Sequence, residues 1–267
     1  MFKDNASGII LVDSSKSILS LNKTRELLFY YGQLFFSWPI CFLGSDIVKA
    51  VVLFSGGLDS TTCLAKAIKD YGKDNVFALS LLYGQKHDKE ISCAQKIAEY
   101  YGIKQVVIDL STIFENSDCS LLKTSKVEVP TGPYSGGIET TYVPYRNGLF
   151  LSVATSYALA NNYDVVIYGI HHDDEVKNAY PDTSIEFDKA ISDACYLGSG
   201  KKIRIEAPFV SKNKADIVKL GLELNVPYEL TWSCYQGHDK ACGKCATCLD
   251  RLAAFEANNR KDPLPYE

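Results

Sequence analysis

From residue 48 onward the chain alternates uninterrupted apolar runs with stretches of helical period, and few architectures accept that pattern. The runs are VKAVVLF (48–54), VFALSLLYG (76–84), QVVIDL (105–110), DVVIYGIH (164–171) and IRIEAPF (203–209). A strand with one face in water alternates polar and apolar residues; apart from IRIE these do not, so both faces must be covered. Between and after them lie STTCLAKAIKDYG, DKEISCAQKIAEYYG, GLFLSVATSYALANN, TSIEFDKAISDACYLG and KADIVKLGLELN, which read as helices. Leu64, Ala67 and Ile68 share a face of the first, which Gly72 stops. Ile91, Ala94 and Ala98 share a face of the second, with Asp88 as N-cap and Gly102 at its end. The expected fold class is α/β, a parallel sheet with helices on both faces. A polar loop with Gly and Pro is expected from about Asn116 to Pro144.

In such sheets ligands bind beyond the carboxyl ends of the strands, near a switch in strand order. The first of these ends reads FSGGLDSTT, which asks why a chain leaves a buried strand through two glycines. Gly56 and Gly57 remove side chains where a helix begins, and there free N–H donors and the helix dipole favour an anion. Ser55, Ser60 and Thr61 add hydroxyls, which suits phosphate or pyrophosphate. No lysine follows the second glycine, so this is not the GxxxxGK[ST] loop. Asp59 would repel a bare phosphate, so it either caps the helix or helps hold a bridging Mg²⁺. The other strand ends supply Tyr83, Lys86 and His87, and then His171, His172, Asp173 and Asp174.

Nine cysteines in 267 residues look at first like a disulfide framework. Their spacing argues otherwise. Cys234, Cys242, Cys245 and Cys248 form C-x7-C-x2-C-x2-C, and the rest are isolated, several within apolar stretches. An odd total with one tight cluster points to a reducing compartment, the cytoplasm, and to a metal. A closed tetrahedral Cys₄ shell suits a structural Zn²⁺; an iron–sulfur cluster is the rival. His238 is a spare candidate ligand, and Lys240, Lys244 and Arg251 would offset thiolate charge. Net charge is −4 and the pI about 5.7, which argues against a protein that grips a phosphate backbone by bulk positive charge. No nucleic-acid partner is expected, and the substrate should be small.

SGGLDS after a strand resembles the PP-loop of the N-type ATP pyrophosphatases. The wider set FSGGLDSTTCLA, LLYGQKHDKEI, YVPYRNGLFLSVA, IYGIHHDD, AYPDT, KADIVKLG and VPYELTWSCY…ACGKCATC resembles the 7-cyano-7-deazaguanine synthase family of the queuosine pathway, over about residues 48–255. The resemblance implies a PP-loop fold in which ATP and free ammonia convert the carboxylate of 7-carboxy-7-deazaguanine to a nitrile through adenylated intermediates and an amide. It implies ATP binding by Phe54, Ser55, Gly56, Gly57, Leu58, Asp59, Ser60, Thr61, Thr62, Cys63 and Leu64. It implies catalysis by Asp59, Ser60, Arg146 and Lys212, although Lys214 and Lys86 also stand as candidates to reach a phosphate. Zn²⁺ on the four cysteines, Mg²⁺ with ATP and a homodimer belong to the same expectation. Tyr142, Tyr145 and Tyr180 are candidates to stack on a flat heterocycle.

Residues 1–45 depart from the family pattern, as an N-terminal extension of unclear role. Within it LLFYYGQLFFSWPICFLG (27–44) has no charge, but Gly32, Gln33, Ser37 and Pro39 interrupt it, so no membrane partner is expected. The expected main domain is 46–267, with the zinc segment at 234–248. Two other classes fit parts of the pattern: a tRNA-modifying PP-loop enzyme for thiolation or amination, and a non-catalytic nucleotide-sensing zinc protein.

Overall fold

Five short parallel strands, β1 (Ala50–Leu53), β2 (Val76–Leu82), β3 (Gln105–Asp109), β4 (Val165–Ile167) and β5 (Arg204–Glu206), form one sheet in the order β3-β2-β1-β4-β5. The computed structural model describes residues 47–134, 137–173 and 180–267. The reading of residues 1–45 as an extension, and that of Asp174, lie outside them. Among the described residues no helix is long and apolar enough to cross a membrane.

The central strand shows why the runs are continuous. Ala50, Val51 and Val52 are wholly buried. Ala50 and Val52 face one cluster with Ala78, Leu64, Ile97 and Ile217, whereas Val51 faces another with Phe77, Leu79, Leu151 and Ala158. Successive side chains point to opposite faces, so a strand covered on both has no polar position left. Each Leu or Ile buried in this way stabilises by roughly 1.5–3 kcal/mol.

Among the described residues seven helices cover those faces: α1 (Leu58–Tyr71), α2 (Lys89–Tyr101), α3 (Ser111–Phe114), α4 (Arg146–Ala160), α5 (Ile185–Gly198), α6 (Lys214–Glu223) and α7 (Ala246–Ala257). α6 opens on a capping box, in which Asn213 accepts from the Asp216 N–H and Asp216 accepts from that of Asn213. Gly102 closes α2 in the left-handed conformation, as expected. Asp88 occupies the N-cap position of α2 without capping it; its carboxylate instead takes Lys123 at 3.1 Å.

The segment expected as a polar loop hides a small core of its own. Leu121, Leu122, Cys119 and Val143 pack with Tyr83 and Phe114, and backbone bonds tie Leu121 and Leu122 to Lys86 and Gln85. That packing brings the loop onto the end of β2, beside the place where the sheet's order reverses.

Candidate functional site

The strand order changes direction between β1 and β4, and a cavity of about 260 Å³ opens there beyond the carboxyl ends of β1, β2 and β4. One part of its wall is the glycine turn. Ser55, Gly57, Leu58, Asp59 and Ser60 line it, and no side chain caps α1. The start of α1 therefore presents first-turn N–H groups and a positive dipole end to the cavity.

The glycines meet a demand the sequence left hidden. Gly56 has φ +83°, and a Cβ there would lie 2.6 Å from the Ala94 nitrogen and the Glu90 carbonyl oxygen of α2. Its missing side chain makes room for the neighbouring helix backbone and permits the left-handed bend. At Gly57 a Cβ would lie 3.3 Å from Ser55 Oγ and 3.5 Å from the Trp232 carbonyl. The turn is clamped from behind so that its front faces the cavity.

Asp59 is not a cap, since Gly57 holds that position. Its Oδ2 pairs with Lys214 Nζ at 2.8 Å and faces His171 Nε2 at 3.9 Å. Burial alone would raise its carboxyl; Lys214 and then His171 overcome this and hold it below the ordinary carboxylate value. Asp59 Oδ1 is buried and has no hydrogen-bond partner. Lys214 reaches in from the first turn of α6, where its N–H donates to Asp173 Oδ2 at 2.8 Å. Asp173 thus holds backbone. The hydroxyls of Ser55 and Ser60 lie 3.1 Å apart.

Other expected residues divide sharply. Thr61, Thr62, Cys63 and Leu64 point into the protein; Thr62 meets the Tyr228 hydroxyl at 2.9 Å and Cys63 packs beneath Gly169. Lys212 lies in a separate surface groove with Lys66 and Lys219, so of the two lysines it is Lys214 that reaches the turn. Lys86 is exposed and donates to the Val127 carbonyl. His172 and Tyr145 are exposed, Tyr142 accepts from the Tyr145 N–H, and His87 packs on Gly237. Arg146 and Tyr180 do line the cavity.

The remainder of the wall is aromatic. The Arg146 guanidinium lies 5.4 Å from the Tyr83 ring centre and 5.9 Å from that of Phe150. A hydroxyl chain runs from Thr141 through Tyr180 to Tyr235, with steps of 2.9 and 3.0 Å, and Tyr134 joins at 3.4 Å. Burial, then the neighbouring tyrosines, raises the Tyr235 hydroxyl well above its usual value, so it stays a donor. Flat rings with a few fixed polar groups suit a planar heterocycle. Tyr83, expected at a strand end, also lines this space, as do Glu90, Trp232 and Tyr235, which were not singled out from sequence as contacts. Glu90 sits in the first turn of α2, where an acid reads as an ordinary complement to the helix dipole.

The sulfurs of Cys234, Cys242, Cys245 and Cys248 are buried and all within 4.8 Å of one another, and they could hold a metal ion. Backbone N–H groups of Gln236 and Cys242 point at the Cys234 sulfur, and those of Lys244 and Cys245 at the Cys242 sulfur. Such donors favour thiolates. His238 pairs instead with Glu267 at 2.6 Å.

Arg251, expected to offset thiolate charge, is buried and forms a two-pronged pair with Asp262 at 2.6 and 3.0 Å. Its remaining donors go to Thr231, Ser233 and the Tyr228 carbonyl. Asp262→Ala should therefore cost about 3–5 kcal/mol by leaving a buried cation unpaired. Urea unfolding measures this, and a loss under about 1 kcal/mol would show the pair to be expendable.

The family described as "Queuosine biosynthesis protein QueC" matches residues 49–259. A "7-cyano-7-deazaguanine synthase" of Pseudoalteromonas atlantica is 43% identical over 222 residues, 83% of this chain and 100% of that protein. One of Archaeoglobus fulgidus is 46% identical over 81% of this chain and 90% of its own length. One of Caldicellulosiruptor saccharolyticus is 42% identical over 82% and 96%. Because the match spans the glycine turn, the cavity wall and all four cysteines, this chain belongs to the QueC family of queuosine biosynthesis proteins.

Proposed function

We propose that this chain is a 7-cyano-7-deazaguanine synthase, converting the carboxylate of 7-carboxy-7-deazaguanine to a nitrile with ATP and ammonia. The observation that carries the reading is one cavity with two kinds of wall: the uncapped start of α1 with Asp59 and Lys214, and the aromatic set around Arg146. A carboxylate cannot expel oxide, so it needs a better leaving group. Attack of its oxygen on the α-phosphorus of ATP releases pyrophosphate and leaves an adenylate, which ammonia converts to the amide. A second ATP activates the amide oxygen in the same place, and loss of AMP gives the nitrile.

Ser55, Ser60 and the first-turn N–H groups of α1 would hold the departing pyrophosphate, and Lys214 would lie over its charge. The orphaned Asp59 Oδ1 fits a divalent ion carried in with the nucleotide, the oxygen-ligand chemistry of Mg²⁺. Arg146, the tyrosines and Phe150 would seat the deazapurine. For the cysteines we infer Zn²⁺. Tetrahedral Zn–S bonds place sulfurs about 3.8 Å apart, whereas a cubane gives each thiolate its own iron and spreads them wider. Cys242 and Cys248 are 4.0 Å apart. Free thiols at all eight described cysteines accord with a cytoplasmic enzyme, and a homodimer belongs to the same family reading.

Mass spectrometry of a reaction containing ATP, ammonia and the deazapurine acid tests this directly. The amide should appear first and the nitrile after it, with pyrophosphate released in both rounds. ATP binding with no pyrophosphate release under any of these conditions would leave a nucleotide-sensing protein instead.

A further inference from the structure

Every round of the proposed chemistry sheds a proton from nitrogen, and among the described residues the carboxyls and imidazole lining the cavity are Asp59, Glu90 and His171; His171 stands at the glycine-turn end, its Nε2 3.9 Å from Asp59. The first-turn carboxylate of α2 opens onto the cavity, and α2 begins against the glycine turn, where the Glu90 carbonyl meets Gly56. The other acids are committed. Asp59 is fixed in its charged form by Lys214 and His171. Asp182 is buried and accepts from the Asn147 N–H at 2.8 Å, pinning the start of α4. The Tyr83 and Tyr235 hydroxyls are raised by burial and stay protonated.

We propose that Glu90 is the catalytic base that accepts the proton released by nitrogen as the amide and then the nitrile form. The inference rests on the synthase reading above. In the first round the ammonia nitrogen bonds to the adenylate carbon. The carbon–oxygen bond to AMP then breaks, AMP keeps the electron pair, and one N–H proton passes to the Glu90 carboxylate. In the second round the activated amide nitrogen gives up a proton to become a neutral imidate. As the carbon–oxygen bond to AMP breaks again, it gives up its last proton and the C≡N bond is complete. Glu90 returns each proton to solvent before taking the next.

Its surroundings suit the task. Burial pushes the Glu90 carboxyl up to about 7, opposed by the Arg146 guanidinium from α4. Tyr83, after β2, and Cys93 on its own helix also feel its charge, and burial raises both so that they stay neutral; Lys89, the residue before it, turns to the His238 and Asp239 carbonyls. A base with a value near the working pH is half available and still able to release its proton.

Glu90→Gln keeps the shape and removes the base. With ATP, ammonia and the acid, kcat for nitrile should fall about 10²-fold or more, with KM for both ATP and the acid within a few-fold of wild type. Acid-dependent exchange of pyrophosphate into ATP precedes any nitrogen proton transfer, so it should persist in the variant. In the wild type, turnover should fall as pH drops through about 7, and the variant should lose that limb. Glu90→Asp, which keeps the charge but withdraws it, should fall between the two and serves if the glutamine variant does not fold. Turnover near wild type in either variant overturns the proposal. So does a raised KM for the acid with unchanged kcat, which would make Glu90 a reader of the heterocycle's donor edge. Absence of exchange in the wild type would instead sink the synthase reading itself.

Discussion

Asp59→Ala should lower turnover by about 10³-fold while the protein remains folded, because on the proposed reading one carboxylate organises the end of the cavity that takes the phosphates. Its Oδ2 fixes Lys214 at 2.8 Å, and its Oδ1 is buried with no hydrogen-bond partner. Without it, Lys214 loses its anchor and the charge needed over a departing pyrophosphate is no longer held in place. The structural cost should be small. Lys214 and Asp59 open partly onto the cavity, with side-chain exposures of 15% and 24%. Water can therefore solvate the bereft lysine, and the loss should stay near 1–2 kcal/mol, below the ~3–5 of a fully enclosed pair. Steady-state pyrophosphate release and the melting temperature measure the two effects separately. A folded variant with near-normal rate would remove Asp59 from the mechanism.

The pH signatures of the two acids differ in sign and place. Asp59 has a lowered value in the fold, so its contribution to stability is complete above the unfolded carboxylate range. It is lost only as pH falls through the still lower folded value. An activity limb near neutrality therefore cannot belong to Asp59, and its presence or absence in Glu90→Gln reads the other carboxylate alone.

What could be read from the sequence follows from how local each signal is. Strand cores such as VVL and VVI were legible because covering both faces leaves no polar residue to confuse the pattern. Their ends were less so: IRIEAPF contributes only Arg204–Glu206 to the sheet. α7 escaped because its inward positions include Cys248 and Arg251, and a buried arginine breaks the apolar row that marks a helix face. Arg251 can sit there only because Asp262, eleven residues on, meets it, and no local pattern announces such a partner. The choice between Lys212 and Lys214 was likewise tertiary. Asn213 caps α6, so the next residue points along the first turn towards Asp59, while Lys212 remains outside with its carbonyl taken by His172. Gly56 was read as making room for an anion, but what lies closest to it is the backbone of α2.

That last contact has a counterpart on the other side, and it makes the cysteine cluster more than a remote staple. The Trp232 N–H donates to the Gly56 carbonyl at 3.0 Å, and its indole N–H donates to the Cys234 carbonyl at 2.8 Å. Thr247, two residues after Cys245, holds the Ser233 carbonyl at 2.8 Å. The cysteine segment thus presses directly on the glycine turn. Cys245→Ser replaces a soft thiolate with a hydroxyl that stays protonated and ligates poorly. Metal content should fall from one ion per chain to near none. Because Cys245 is wholly buried at the start of α7, the melting temperature should drop by about 10 °C, the equivalent of several kcal/mol in a domain of this size. ATP affinity should fall about tenfold as the turn loosens, a coupling of roughly 1–2 kcal/mol. Chelation of the wild-type protein should reproduce both losses, and restoring zinc should reverse them. Elemental analysis, thermal melting and calorimetric titration with ATP give the three readings. If the variant loses its metal and stability yet binds ATP as tightly as before, the cluster supports only its own segment and the Trp232 bridge transmits nothing.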